Sequence, residues 1–289
     1  MNDSCAILDY SPYGNAFDPR SDALLASALT AEQRKVDILP LSRETVLHVD
    51  AGTIWLRYDI RSRKDLLLIM ELGRLLESRH KRVFPSPKAV WAAEDKWETF
   101  LALQKNGIPT LPTFRSRDYA LCSFPAMFKT RTGWGGLGNQ LIPRPEDLAV
   151  HDVPTSATLL DGTPVAGVMR RSPLKSDGYL CQPFIPHVRT LVLALAGQIP
   201  ICCLEDRGQN AFEEGRGPVV PLTEEALKLS QAALKAVGLV AGTIDLIETP
   251  EGLRVLEVNS APRLTYPHLP DVDLAGPMVK AVLDWFAKA

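Results

Sequence analysis

The chain has 289 residues, 46% of them hydrophobic and 23% charged, with a formal net charge of −2 at pH 7. This balance excludes a disordered chain, and the charge gives no overall basic field for nucleic acid. No apolar run approaches the roughly 20 residues of a membrane helix, and the N-terminus lacks the features of a signal peptide. The five cysteines show no disulfide or metal-type spacing. We therefore expect a cytoplasmic protein without nucleic-acid or membrane partners, and leave a homo-oligomer open.

Apolar runs alternate with helical patterns in the first part of the chain, residues 1–85. Strands are predicted at Ala6–Leu8, Val36–Leu39 and Thr53–Tyr58. Helices are predicted over Ala23–Lys35 and Leu66–His80. Strands separated by helices favour a small parallel sheet.

The prolines around residue 86 mark a boundary to a second part, residues 86–178. A helix is predicted over Ala92–Asn106, ended by Gly107, and a short strand over Ala126–Lys129. A glycine-rich loop, 132–138, follows that strand and leads into another.

The third part, residues 179–289, is predicted to hold several strands and a helix capped by Thr223. The whole chain is therefore predicted to be α/β, with α+β lobes in its second and third parts. The predicted elements are strands at Leu180–Phe184, Thr190–Ala196, Ile199–Leu204, Ala241–Ile247 and Leu253–Asn259, and a helix at Thr223–Val237.

The last predicted hairpin carries two carboxylates that face each other. A three-residue turn, 250–252, with glycine last, sets Asp245 opposite Glu257, and the period of two adds Thr243 and Asn259 to that face. Two facing carboxylates repel unless a cation lies between them, and Mg²⁺ or Mn²⁺ beside phosphates would suit these oxygen ligands. The alternative is a solvated acidic face beside basic neighbours. The opposite face is expected to enter the core: Ile244, Leu246, Leu256 and Val258.

Four glycines of the 132–138 loop could turn backbone N–H groups toward phosphate oxygens. The pattern matches neither a P-loop nor a dinucleotide fingerprint, so a flexible hairpin tip is the alternative. These glycines are Gly133, Gly135, Gly136 and Gly138.

Two lysines accompany the glycine-rich loop. Lys96 lies on the predicted helix, and Lys129 ends an apolar strand. A lysine beside Met127 and Phe128 needs an anion or an exit to water, and a phosphate would supply the anion.

These elements, in their order along the chain, resemble the ATP-grasp superfamily. Segments 94–96 and 106–109 are similar to its "D-K…G-I-P" text, Tyr179–Ile185 to its "V-Q-E-F-I" hinge, and Leu256–Pro262 to its "L-E-V-N-x-x-P" signature. Within the superfamily, the chain is most similar to the amino-acid ligases related to RimK, the ribosomal-protein glutamate ligase, and to the glutathione synthetases. The resemblance implies an ATP-grasp fold preceded by a parallel-sheet domain.

The resemblance also implies how the nucleotide would be held. Lys96 and Lys129 would hold the phosphates, and Lys129 would also lie near the adenine edge. The loop Gly133–Gly138 would close over the β- and γ-phosphates. Gln182 and the backbone of Ile185 would read the adenine.

Metal and transition-state roles follow from the same resemblance. Asp245, Glu257 and Asn259 would hold two Mg²⁺ ions, for which Mn²⁺ could substitute. Arg189 and Arg207 would neutralise the γ-phosphate and the acyl phosphate that it becomes.

Two positions depart from the family pattern. His187 stands where relatives often have an acidic residue, and Arg263 stands where close relatives have glycine. Arg263 is predicted to bind a substrate carboxylate, with a surface arginine as the alternative. Arg57, at the expected carboxyl edge of the first sheet, is a second candidate for this contact. Arg170 precedes a polar stretch that could form a lid.

The sequence therefore predicts an ADP-forming carboxylate–amine ligase. ATP would convert a substrate carboxylate into an acyl phosphate, which the amine of an amino acid or peptide would attack. Several cationic candidates favour an anionic small molecule, amino acid or peptide as substrate. The alternatives are a small-molecule kinase on the same fold and a nucleotide-binding protein without turnover.

Overall fold

The computed structural model describes residues 4–13, 18–133, 138–149, 153–158, 164–169, 178–186, 189–206, 216–266, 269 and 271–288. Within them, four parallel strands form the first sheet, in the spatial order second, first, third, fourth. The strands are β1 (Ser4–Tyr10), β2 (Lys35–Pro40), β3 (Thr53–Tyr58) and β4 (Arg82–Phe84), connected by α1 (Pro19–Ala31), α2 (Arg43–His48) and α3 (Arg63–Ser78).

The predicted parallel sheet is confirmed. α2 and β4 were missed because elements of six and three residues carry too little periodicity to identify. The strand order reverses at β1, and ligands bind beyond the carboxyl ends of strands at such a point. Tyr10 and Tyr58 are paired at these ends of β1 and β3.

A second, antiparallel sheet contains, in spatial order, β5 (Phe114–Arg115), β10 (Tyr179–Pro183), β6 (Ala126–Thr130) and β7 (Gln140–Ile142). Because β10 completes this sheet, it pairs across the predicted domain boundary at 178, and the domain division stays a prediction. The elements of this region are α4 (Pro87–Glu94), α5 (Lys96–Lys105), β5 (Phe114–Arg115), β6 (Ala126–Thr130), β7 (Gln140–Ile142), the hairpin strands β8 (Val153–Thr158) and β9 (Pro164–Met169), and β10 (Tyr179–Pro183).

The third sheet is antiparallel, with the order β13-β12-β11-β14-β15. Its inner residues join those of the first sheet in one core, where Ile7 and Trp55 belong to the same cluster as Leu193 and Ile244. This shared core holds the first sheet against the last hairpin. The elements are β11 (Arg189–Ala196), β12 (Ile199–Asp206), β13 (Arg216–Val219), α6 (Glu224–Ala236), β14 (Ala241–Thr249), β15 (Gly252–Asn259) and α7 (Ala275–Lys288).

The prediction of one helix over Ala92–Asn106 was wrong. Asp95 has extended backbone angles and separates α4 from α5, because its side chain accepts hydrogen bonds from the backbone N–H groups of Trp97 and Glu98. The N-cap bonds of Asp95 start a second helix at Lys96. In the described part of the chain, no helix is long and apolar enough to cross a membrane.

Candidate active site

The β14–β15 hairpin has the predicted register at its acidic face. Asp245 lies opposite Glu257, and Thr243 lies opposite Asn259. Asn259 Nδ2 is 3.5 Å from Asp245 Oδ1. The predicted cluster of carboxylate and amide groups therefore forms on one face of the sheet.

The route to this register differs from the prediction. The turn has two residues, since Thr249 pairs with Gly252, and a bulge at Leu256 adds the missing residue to β15. The expectation that Leu256 enters the core was wrong, because the bulge shifts the alternation by one residue. Val255 is fully buried, whereas Leu256 is half-buried and lines a cleft beside Glu257.

This cleft is open to solvent, and its space, including the solvent-filled part, amounts to about 440 Å³ between the second and third sheets. It combines cationic, anionic and apolar side chains, a mixture that suits a base together with phosphates. Its lining residues are Lys96, Thr99, Phe100, Leu103, Thr110, Thr113, Lys129, Leu180, Gln182, Leu256 and Glu257.

Lys96 begins α5 and reaches both the β14–β15 hairpin and the glycine-rich loop. Its Nζ lies 3.2 Å from Glu257 Oε1 and donates to the carbonyl oxygen of Gly133. Gly133 has φ +102°, a conformation that favours glycine, and this turn directs the chain into the loop. The Glu257 carboxylate therefore has a positive partner without a metal.

Lys129, on β6, lines the same cleft. Burial lowers the pKa of its ammonium group to about 8, and the charges of Glu257 and Asp245 oppose this effect. A cation held where burial disfavours it is typical of an anion-binding site. Gln182 also lines the cleft, whereas Ile185, two residues after the end of β10, is not among the lining residues.

A buried ion pair that the sequence analysis missed supports this arrangement. Arg131 Nε lies 2.7 Å and 2.8 Å from the two carboxylate oxygens of Asp95, and its backbone carbonyl accepts from the N–H of Lys96. Asp95 is fully buried. The pair therefore fixes the start of α5 to the strand that leads into the glycine-rich loop. The D-x-x-E spacing from Asp95 to Glu98, a helix N-terminus signature, could have revealed the cap.

The three predicted metal ligands carry oxygen atoms of the kind that bind Mg²⁺. Asp245, Glu257 and Asn259 offer hard oxygen ligands on one face, as Mg²⁺ requires. Among the described residues, no group of three or more His, Cys, Asp or Glu side chains could hold a metal. Two carboxylates and an amide would therefore depend on phosphate oxygens or water to complete a coordination shell.

Arg189 does not lie on the face that carries Asp245 and Glu257. It lies opposite Glu248 in β14, with its Nε 2.5 Å from Glu248 Oε2. Glu248 is three residues from Asp245 along one strand, so the two side chains point to opposite faces. A role for Arg189 at the γ-phosphate stays a prediction. Gly138 lies within the described residues, but other predicted positions lie outside them: Gly135, Gly136, Arg170, His187 and Arg207.

The structure argues against Arg57 as a substrate contact. Its side chain is 1% exposed, its Nε lies 3.1 Å from Asp22 Oδ1, and it donates to the carbonyl oxygen of Pro262 at 2.8 Å. The contact was predicted only from the position of Arg57 at the carboxyl edge of the sheet. Asp22 on α1 instead forms a buried ion pair with Arg57, so the side chain lies in the core. Arg263, the next residue after Pro262, is exposed and stays a candidate for binding a substrate carboxylate.

A hydrogen-bonded chain ties the end of β15 to two other elements. The Ser260 hydroxyl lies 2.6 Å from that of Tyr58 on β3 and also donates to the carboxylate of Glu94 on α4. Burial, the largest effect on the Glu94 carboxyl, raises its pKa. The residue that follows β15 is thus anchored to the first sheet and to α4.

Comparisons with known proteins agree with this geometry. Residues 202–282 match the model of the RimK-like ATP-grasp domain. A probable alpha-L-glutamate ligase of Haemophilus influenzae is 26% identical over 197 residues, which cover 62% of this chain and 59% of that protein. The match therefore spans less than two thirds of this relative's length.

Solved structures match nearly the whole chain. The RimK domain ATP-grasp protein of Sphaerobacter thermophilus aligns with a TM-score of 0.67 and 17% identity, covering 97% of this chain and 99% of that one. The ATP-grasp ligase PsnB, solved with a phosphomimetic variant of a minimal precursor, Mg and ADP, aligns with a TM-score of 0.64 and 15% identity, covering 98% of each chain. The predicted resemblance is thereby confirmed: the chain has the ATP-grasp fold, with a match to the RimK-like ATP-grasp domain in its C-terminal part.

Proposed function

We propose that the chain is an ATP-dependent, ADP-forming carboxylate–amine ligase. The observation that carries this proposal is the cleft in which Lys96, Lys129 and Glu257 converge beside apolar side chains. Such a cleft can hold a nucleotide with its phosphates on the lysines. The names of the similar proteins, a glutamate ligase and a ligase solved with its precursor, support an amino acid or peptide as substrate.

In this proposal the side chains position charges and do little covalent work. Lys96 and Lys129 hold the phosphates, while Asp245, Glu257 and Asn259 supply oxygens for two Mg²⁺ ions, or Mn²⁺ in their place. Bound Mg²⁺ would neutralise charge on the transferred phosphoryl group.

Arg263 orients the substrate carboxylate that becomes an acyl phosphate. Its exposed position, four residues after Asn259 in the sequence, supports this role. An amine then attacks the acyl carbon, forms the amide bond and displaces phosphate.

The test measures ADP and free phosphate separately while a panel of amino acids and short peptides is added with ATP and Mg²⁺. Release of both products that depends on an amine supports the ligase. ADP without free phosphate would instead identify a kinase, and no ATP-induced rise in melting temperature at millimolar ATP would contradict nucleotide binding.

The variant Glu257→Gln tests the proposed metal site. It removes one charged metal ligand, so turnover should fall by about 100-fold or more. The pair that Glu257 forms with Lys96 is partly exposed and is worth only about 0–1 kcal/mol, so the metal-free melting temperature should hardly change. Near wild-type turnover would disprove the metal assignment.

A further inference from the structure

A hydrogen-bond relay runs from the backbone of Leu111 through Thr113 to Gln182. The Thr113 hydroxyl donates to the carbonyl oxygen of Leu111 at 3.0 Å, and Gln182 Nε2 donates to Thr113 Oγ1 at 2.9 Å. Thr113 is 4% exposed and Gln182 is 9% exposed. Both side chains are therefore buried, and water has little access to replace either hydrogen bond of the relay.

The relay fixes which end of the Gln182 amide faces Thr113. A hydroxyl carries one proton, and Thr113 uses that proton on Leu111. Toward Gln182 the hydroxyl can therefore only accept a hydrogen bond. If the amide were reversed, the hydroxyl would have to turn its proton from Leu111 to Gln182 Oε1, and the carbonyl oxygen of Leu111 would lose this hydrogen bond.

The oxygen at the other end of the amide is an unsatisfied hydrogen-bond acceptor among the described residues. Gln182 Oε1 is buried and accepts no hydrogen bond from any residue that the structure describes. A buried oxygen without a donor costs about 1–3 kcal/mol. Gln182 and Thr113 both line the cleft, together with Leu180 and Leu256. A ligand base in this cleft that offers an N–H group could remove the cost.

We propose that Thr113 determines the purine specificity of the nucleotide site. By locking Gln182, it presents Oε1 as an obligatory acceptor. Adenine carries a donor, its 6-amino group, whereas hypoxanthine and guanine carry a carbonyl oxygen at that position. The relay therefore selects adenine and rejects 6-oxopurines, because an oxygen facing Oε1 would leave two acceptors unpaired. The inference rests on the proposed nucleotide-dependent function.

The experiment compares the binding of ATP and ITP, each with Mg²⁺, by calorimetry on the full chain. The wild type should favour ATP by about tenfold or more. Thr113→Val keeps the shape but removes the hydroxyl, so the amide can turn, and the preference should fall at least about fivefold. Thr113→Ser keeps the hydroxyl and should keep the preference. Purine riboside triphosphate, which has no 6-substituent, should bind the wild type with intermediate affinity.

Gln182→Met covers the case in which Thr113→Val fails to fold. It removes the acceptor altogether, so ATP and ITP should bind with nearly equal affinity. The proposal is overturned if the wild type binds ATP and ITP equally, or if folded Thr113→Val and Gln182→Met both retain the wild-type preference. Absence of any ATP binding to the wild type would instead contradict the proposed function itself.

Discussion

Single residues in the cleft combine binding capacity with a cost in stability. Lys129 is the clearest case, because its pKa is lowered to about 8, chiefly by burial. Its pKa in an unfolded chain is about 10.4. Below about pH 8 the folded protein holds a half-buried cation, and the cost of this charge to the stability fades as the pH rises from 8 to 10.5.

Lys129→Met is therefore expected to raise the stability of the ligand-free protein at pH 7 by about 2 kcal/mol. The gain over the wild type should shrink between pH 8 and 10.5, because there the wild-type lysine becomes neutral in the folded state first. The same variant should lose affinity for ATP. Denaturant unfolding at several pH values and ATP titration measure both effects.

Lys105→Met, at an exposed position of α5, is the matched control. It should change neither the pH dependence of stability nor ATP binding. If Lys129→Met were less stable than the wild type at pH 7, Lys129 would be a packing residue rather than a site built for an anion.

At the scale of elements, the start of α5 and the strand before the glycine-rich loop act as one unit. Asp95 caps the helix and holds Arg131, while the backbone of Arg131 accepts from Lys96. The lysine that reaches Glu257 is thus positioned by a pair of residues that do not line the cleft.

Asp95→Asn isolates this pair from the helix cap, since asparagine caps as well as aspartate. Leaving Arg131 without its buried counter-charge should cost about 3 kcal/mol. The KM for ATP should rise more than kcat falls, because Lys96 and the loop are misplaced. Glu98→Gln, which affects only the longer 3.3 Å contact to Arg131, should have a smaller effect on both. Unchanged stability and KM would disprove the positioning role.

At the scale of the whole molecule, the segment after β15 is fastened to the first sheet. Arg57 donates to Pro262, the Tyr58 hydroxyl meets Ser260, and the N–H of Leu264 donates to a buried serine of α1, Ser21. These contacts join residues more than 200 positions apart in sequence. The first sheet and α1 therefore hold the segment that follows β15, in which Arg263 lies.

Arg57→Met is expected to destabilise the protein by about 3 kcal/mol, since it leaves Asp22 buried without a counter-charge. The double variant Asp22→Asn, Arg57→Met removes both charges and should recover part of the loss. Thermal unfolding measures both. If Arg57→Met kept its stability while the KM for the substrate carboxylate rose, Arg57 would bind substrate after all.

The sequence alone was sufficient for features that depend on local pattern. The period of two placed Glu257 and Asn259 on one face of β15, and the order of motifs predicted the ATP-grasp fold. The predicted pairing of Glu257 with Asp245 is correct because the bulge at Leu256 offsets the shorter turn. The first parallel sheet followed from strands that alternate with helices. Each inference needed only residues near in sequence or the order of elements along the chain.

Only the tertiary structure decided where charges find partners. Arg57 enters the core because α1, 35 residues away, supplies Asp22. Leu256 faces the cleft because β14 pairs with a bulged strand, and Gln182 is oriented by Thr113, 69 residues earlier. Burial and hydrogen-bond direction depend on which residues are neighbours in space. Local periodicity does not specify which distant side chain will pair with a buried charge or amide.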